Sequence, residues 1–149
     1  MRIVAQRVSE AKVIVEGKQI SSIGRGLVLL VAIGKGDSDD DINYLVRKIK
    51  NLRIFEDGGQ KFNLDIMQVK GEILSIPQFT LYADTRKGAR PSFDEAQAPQ
   101  IAQDMWKEFN ARLRAEGISL KEGVFAARMQ VHIVNEGPVT IFLNSRGKA

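Results

Sequence analysis

The sequence predicts a mixed α and β domain (α/β class), with antiparallel-rich mixed sheets and two main helices. Three patterns carry that expectation. Strand-like apolar runs bracket the chain, two segments have helical apolar spacing, and turns rich in Gly and Pro separate the remainder. At 149 residues the chain is long enough for one domain with a proper core and short for two. No repeat, low-complexity tract or linker divides it, so one domain over residues 1–149 is expected.

Residues 1–8 (MRIVAQRV) read as a strand. Residues 11–16 and 18–23 flank Gly17 as a hairpin, and the uniformly apolar stretch 26–33 reads as a central strand covered on both faces. Ile42, Leu45, Val46, Ile49 and Leu52 then recur at helical spacing behind Asp37-Ser38-Asp39-Asp40-Asp41, with Arg47, Lys48 and Lys50 towards the end. Carboxylates complementing a helix N-terminus account for that acidic cluster, so no metal is predicted. Residues 53–76 alternate strand-like pieces with turn signals at Asp57-Gly58-Gly59 and Lys70-Gly71, which suggests an antiparallel meander.

Pro77-Gln78-Phe79-Thr80-Leu81 (PQFTL) ends that region, and a polar loop, residues 83–91, follows it with Arg86, Lys87 and Arg90. Pro99 suits the first turn of a second helix whose core stripe is expected to be Ile101, Met105, Phe109 and Leu113, with Gly117 as its stop. A further strand is expected within 118–134. It places Phe125, Ala127, Met129, Val131 and Ile133 on one face and Ala126, Arg128, Gln130 and His132 on the other. In Asn135-Glu136-Gly137-Pro138-Val139-Thr140 (NEGPVT), Pro138 lacks a ladder donor and Gly137 has no side chain, so close approach of another group to that backbone is expected.

Composition narrows the chemistry. With no cysteine and one histidine, disulfides, thiolate catalysis and the usual zinc sites are excluded, and no cofactor is expected. His132 lies in phase with Arg128 and Gln130 rather than with a Ser and an Asp, which argues against a catalytic triad. An enzyme built from this set works through hydroxyls, carboxylates and backbone dipoles, or through a group borrowed from its substrate. Thr80 is the best-placed hydroxyl, although strand propensity alone also accounts for a threonine there. The net charge of +4 is compatible with a polyanionic partner without requiring one. No apolar run approaches the roughly 20 residues that span a bilayer, and Met1-Arg2 leads directly into strand sequence without a leader pattern. A cytoplasmic protein with no membrane and no DNA partner is the expectation.

Residues 77–93 (PQFTLYADTRKGARPSF) and 129–145 (MQVHIVNEGPVTIFLNS) closely resemble the two signature regions of the D-aminoacyl-tRNA deacylases. RIVAQRV (2–8), NLRIFED (51–57) and GEIL (71–74) are similar to that family as well, so the resemblance spans nearly the whole chain. It implies the deacylase fold and a homodimer with active sites at the interface, PQFTL of one subunit facing Gly137-Pro138 of the other. The substrate it implies is aminoacylated tRNA, whose ester joins a D-amino acid, or glycine, to the 3′-terminal adenosine.

The resemblance further implies that Gly137-Pro138 is cis and fills the space into which an L side chain would project. Cis X-Pro bonds are a minority of about 5–6% in folded proteins. Chirality is then read by exclusion. Gln78, Phe79 and Thr80 correspond to the catalytic segment, and Arg7 to an arginine that helps hold the gate, where a surface charge is the plain alternative. Phe125 and Met129 match pocket positions for the terminal adenosine and aminoacyl group, although ordinary packing explains their apolar face equally well. Arg86, Lys87 and Arg90 are candidate contacts to acceptor-stem phosphates, with a solvated basic loop as the alternative. Two chemistries suit the family: Thr80 as nucleophile, or assistance by the terminal ribose 2′-OH. The second is favoured because no base is evident to activate a threonine.

Four positions depart from the usual pattern. Pro77 stands where serine is typical and is shared with an animal-type subgroup that acts on certain L-alanine errors. Ala126 and Arg128 replace a glycine and an acid, and Glu136 replaces a frequent aspartate. An inert tRNA-end binding dimer, a deacylase of that animal-type subgroup with altered chirality preference, and a purely structural dimer are the competing readings.

Overall fold

The computed structural model describes residues 1–147. Its elements in chain order are β1 (Arg2–Val15), β2 (Lys18–Ile23), β3 (Gly26–Ala32), α1 (Asp39–Lys50), β4 (Phe55–Glu56), β5 (Phe62–Leu64), β6 (Glu72–Pro77), a 3-10 turn (Phe79–Tyr82), α2 (Pro99–Ala115), β7 (Ser119–Glu122) and β8 (Gln130–Asn144). The mixed class, the two helices and the predominance of antiparallel pairs agree with the sequence expectation.

One six-stranded sheet organises the chain in the order β2-β1-β3-β6-β7, with β8 also paired to β1, while β4 and β5 form a separate two-stranded sheet. The strands at 1–8 and 11–16, expected as two, are one continuous β1. Its first half pairs with β3 and its second half with β2, both antiparallel, and β8 runs along its other edge.

The expected antiparallel meander over 53–76 is corrected. Only β4 and β5 pair that way, whereas β6 lies parallel to β3 and β7 parallel to β6. Parallel pairing needs a long crossover, and α1 and α2 supply the two crossovers. Local turn signals do not reveal the strand that a distant segment will join.

Helix α1 begins where the acids predict, with the Ser38 amide donating to the Asp41 carboxylate at 2.8 Å, and it buries Ile42, Leu45, Val46 and Ile49. Helix α2 starts at Pro99, as expected, but its stripe is corrected: Ile101 is exposed, and Ala102, Trp106, Phe109 and Leu113 are the buried apolar positions, with Asn110 buried beside them. A strict i+4 series drifts by about 40° per step, so Ile101 lies about 120° around the helix from Leu113.

The apolar packing occupies both faces of the sheet. Leu27, Leu29 and Ile73 join Leu45, Phe109 and Leu113 in the layer beneath the helices, while Val28, Leu74 and Ile76 join Val8 and Val13 on the opposite face. Adjacent residues of β3 and β6 therefore serve two layers, which explains why their sequence is continuously apolar. Each fully buried aliphatic side chain contributes roughly 1.5–3 kcal/mol relative to exposure.

The strand expected within 118–134 is also corrected. It is interrupted between β7 and β8 by a turn in which Ala126 has a left-handed φ of 61°. The predicted alternation of burial nevertheless persists through the turn, with Phe125, Ala127 and Met129 half-buried and Ala126 and Arg128 exposed. No helix is long and apolar enough to cross a membrane among the described residues.

Candidate active site

PQFTL sits where β6 gives way to the 3-10 turn. Pro77 is the last residue paired with β3, opposite Val31, and the Gln78 amide then donates to the Val31 carbonyl at 2.7 Å. The far end of the turn is docked firmly. Tyr82 is buried, the Arg2 guanidinium lies 4.3 Å from its ring centroid, and Arg2 Nη1 donates to the Leu81 carbonyl at 2.8 Å. Gly34 makes this close packing possible, since a Cβ there would lie 2.4 Å from the Tyr82 hydroxyl. Burial pushes the Tyr82 hydroxyl up to about 12, so it stays protonated at neutral pH and is no base.

The near end is open. Phe79 and Thr80 are exposed, and Phe79 meets Phe93 edge to face at 5.0 Å. As the first residues of the turn, Phe79 and Thr80 have amides with no acceptor inside it, and none elsewhere among the described residues. The Gln78 side-chain amide donates to Thr80 Oγ1. No imidazole or carboxylate is hydrogen-bonded to that hydroxyl among the described residues.

Beside this turn opens a cavity of about 440 Å³, lined by Pro77, Gln78, Phe79, Trp106, Phe125 and Met129 among others. The structure thus brings together the predicted residues Gln78, Phe79, Phe125 and Met129. Trp106 was missed because the expected stripe ran through Met105 and Phe109 and left it out, and nothing local marks it as a cavity wall. Its indole donates to Ser75 Oγ at 2.9 Å and its ring centroid lies 6.0 Å from that of Phe125, which fixes one cavity wall. Ala126, in the glycine-favouring left-handed conformation, lines the same cavity. Met129 Sδ accepts from the Val124 amide at 3.4 Å and so ties the turn down.

Gly137 and Pro138 lie on β8 where the strand bulges away from β1. Thr140 pairs with Gln6 and Asn135 with Val8, so residues 136–139 stand opposite Arg7 alone. The Gly137-Pro138 peptide is cis, and Gly137 has a φ of 128°. A Cβ on Gly137 would lie 2.9 Å from Val139 Cγ2 and 3.2 Å from Arg7 Nη2.

Arg7 is not a surface charge. It is 4% exposed, its Nε donates to the Glu136 carbonyl at 3.0 Å, and its Nη1 donates to the Ile54 carbonyl at 2.8 Å. The Glu56 and Glu136 carboxylates lie 3.5 and 3.9 Å from it. Glu56 was not singled out in the sequence, where nothing local pairs residue 7 with residue 56, and Glu136 was noted only for standing in place of an aspartate.

Within one chain the two signatures stay apart. Pro77, Val31, Ile3 and Leu143 form one row across β6, β3, β1 and β8, and the bulge sits four residues further along at Arg7. Three inter-strand steps and four residues amount to a separation on the order of 15–20 Å.

In the basic loop, Asp84 and Ser92 form a bridge that pinches residues 85–91 into an exposed tip. Arg86 turns back onto Asp84 at 2.7 Å, and that hydrogen bond holds the Asp84 carboxyl down at about 2. Lys87 and Arg90 are exposed and have no ion-pair partner among the described residues. His132 is exposed and pairs with Lys12 on β1, away from Thr80. No group of acidic or histidine side chains suited to a metal occurs among the described residues.

The family model for D-Tyr-tRNA(Tyr) deacylase matches residues 4–144. A D-aminoacyl-tRNA deacylase of Koribacter versatilis is 49% identical over 146 residues, covering 98% of each chain, and one of Thermotoga petrophila is 50% identical over 145 residues, covering 97% of each. Among solved structures, one described as the c-Myc DNA Unwinding Element Binding Protein has a TM-score of 0.93 and 42% identity, covering 99% of this chain and 100% of that one. A second, a probable eukaryotic D-amino acid tRNA deacylase, has a TM-score of 0.82 at 18% identity over 95% of this chain and 97% of its own, which speaks to the fold alone. The matched span contains the PQFTL turn, the cavity, buried Arg7 and the β8 bulge together, and with relatives of such identity along nearly the full length, the chain belongs to the D-Tyr-tRNA(Tyr) deacylase family, whose members are hydrolases.

Proposed function

We propose that the protein removes D-amino acids, and glycine, from tRNA by hydrolysing the ester to the 3′-terminal adenosine. L-aminoacyl esters are spared. The observation that carries this reading is the β8 bulge at 136–139, a side-chain-poor segment held by buried Arg7 at the Glu136 carbonyl. A backbone wall so held rejects a projecting substituent by shape, and a hydrogen or a side chain of the opposite hand passes.

The active site is completed by a second copy of the chain, whose bulge faces PQFTL of the first. Support comes from the separation of the two signatures within one chain and from the long edge of β8, which among the described residues pairs only with β1 and exposes Val134 and Phe142. Terminal adenosine and aminoacyl group occupy the cavity between Pro77, Phe125 and Met129. The amides of Phe79 and Thr80 stabilise the oxyanion, and an ester that is already activated needs little beyond positioning and that stabilisation.

The terminal ribose 2′-OH, rather than Thr80, assists the attacking water. Thr80 Oγ1 accepts from Gln78, and no base is bonded to it among the described residues. Exposed Lys87 and Arg90 contact the acceptor-stem phosphates. A parallel deacylation assay on D-Tyr-tRNA, L-Tyr-tRNA and Gly-tRNA tests the reading. Release from the first and third with the second intact is expected, and equal turnover of both tyrosyl esters, or none, contradicts it.

A further inference from the structure

Arg7 ties the β8 bulge to a second segment. Its planar guanidinium directs Nε to the Glu136 carbonyl on the bulge, Nη1 to the Ile54 carbonyl just before β4, and Nη2 towards the Glu56 carboxylate at 3.5 Å. On the neighbouring β5, the Phe62 ring centroid lies 5.4 Å from the guanidinium carbon. Phe62 is 54% exposed and belongs to neither apolar layer, so core packing does not account for an aromatic residue there. The β4–β5 pair is not hydrogen-bonded into the main sheet: Phe55 and Leu64 pack it against the core, and Arg7 reaches it at Glu56 and Phe62.

We propose that the β4–β5 hairpin is the outer half of a clamp on the gate, in which Glu56 and Phe62 act through Arg7 as positioning residues for stereoselection. The inference rests on the gate reading of Gly137-Pro138. Arg7 Nη2 would be only 3.2 Å from a Cβ on Gly137, so the guanidinium abuts the gate backbone directly. A shift of Arg7 towards the hairpin removes the support behind residues 136–139 and opens the space that excludes an L side chain. Charge supports the same arrangement, because the buried cation has Glu56 on the hairpin side and Glu136 on the gate side.

The test compares Phe62→Ala, Phe62→Tyr and Glu56→Gln with the unmodified protein, using kcat/KM on D-Tyr-tRNA and L-Tyr-tRNA together with melting temperature and solution mass. Phe62→Ala is expected to lower the D-to-L ratio by about tenfold, the scale of a partly desolvated cation–π contact, chiefly by raising L turnover. Phe62→Tyr restores the ratio, which lost stability alone would not explain. Glu56→Gln, nearly isosteric, lowers it less and carries the test if Phe62→Ala fails to fold. An unchanged ratio in folded variants overturns the clamp, as does selectivity lost only through dissociation into monomers. If the unmodified protein itself shows no preference for the D-ester, the gate reading fails first.

Discussion

At the residue scale, each key side chain owes its chemistry to what surrounds it. Arg7 is almost wholly buried and satisfies two backbone carbonyls, so its charge serves architecture rather than solvent. Thr80 shows the opposite pattern, with an exposed hydroxyl whose one hydrogen-bond partner among the described residues is an amide donor. A hydroxyl that accepts without an adjacent base is a poor nucleophile. Thr80→Ala is therefore expected to retain kcat within about tenfold, whereas a substrate ending in 2′-deoxyadenosine should lose on the order of a hundredfold or more, the usual scale of acid–base assistance. Single-turnover deacylation of the two combinations checks this, and the reversed pattern indicates covalent catalysis by Thr80.

Residue identity made some of this legible in advance. PQFTL and NEGPVT stand out because Pro and Gly interrupt strand-like sequence, and both fall where the chain leaves regular pairing. The burial of Arg7 was not legible. Its partners Ile54 and Glu56 lie more than forty positions away, and only the folded chain brings them together.

At the element scale, helix α1 follows its sequence closely because its acids, its apolar spacing and its basic end all agree. The parallel placement of β6 and β7 was hidden, since a continuously apolar strand carries no mark of its neighbour's direction. Phe125 and Met129 reached the cavity by a turn rather than a strand, because alternating burial arises from either.

The basic loop is another element whose function depends on its internal pairing. Asp84 holds Arg86 back, and hydrogen bonding sets that carboxyl at about 2, below its ordinary 3.8. A depressed carboxyl pKa means that this tie is fully present above about pH 4 and is lost as the pH falls through about 2, so it is intact at neutral pH. Replacing Arg86 by Ala should therefore leave the salt dependence of tRNA binding nearly unchanged. Arg90→Ala should reduce the slope of log affinity against log salt by about 0.7–0.9, the increment of one phosphate contact. Titrations at several salt concentrations distinguish the two, and equal effects would contradict the pairing argument.

At the scale of the whole molecule, the decisive fact is the distance between two signatures on one sheet. Strand order places the PQFTL turn at one end of β6 and the bulge on β8, with β3 and β1 between them. On the proposed reading a single chain presents two different half-sites, and two copies related by a two-fold axis would present two complete ones. The most direct measurement is complementation in a heterodimer, one subunit carrying Gly137→Val and the other carrying Gln78→Ala with Phe79→Ala. Each parent homodimer should be inactive on D-Tyr-tRNA, while the purified heterodimer, with one intact site and one doubly defective site, should recover about half of the unmodified rate. A heterodimer as inactive as its parents would contradict the shared site.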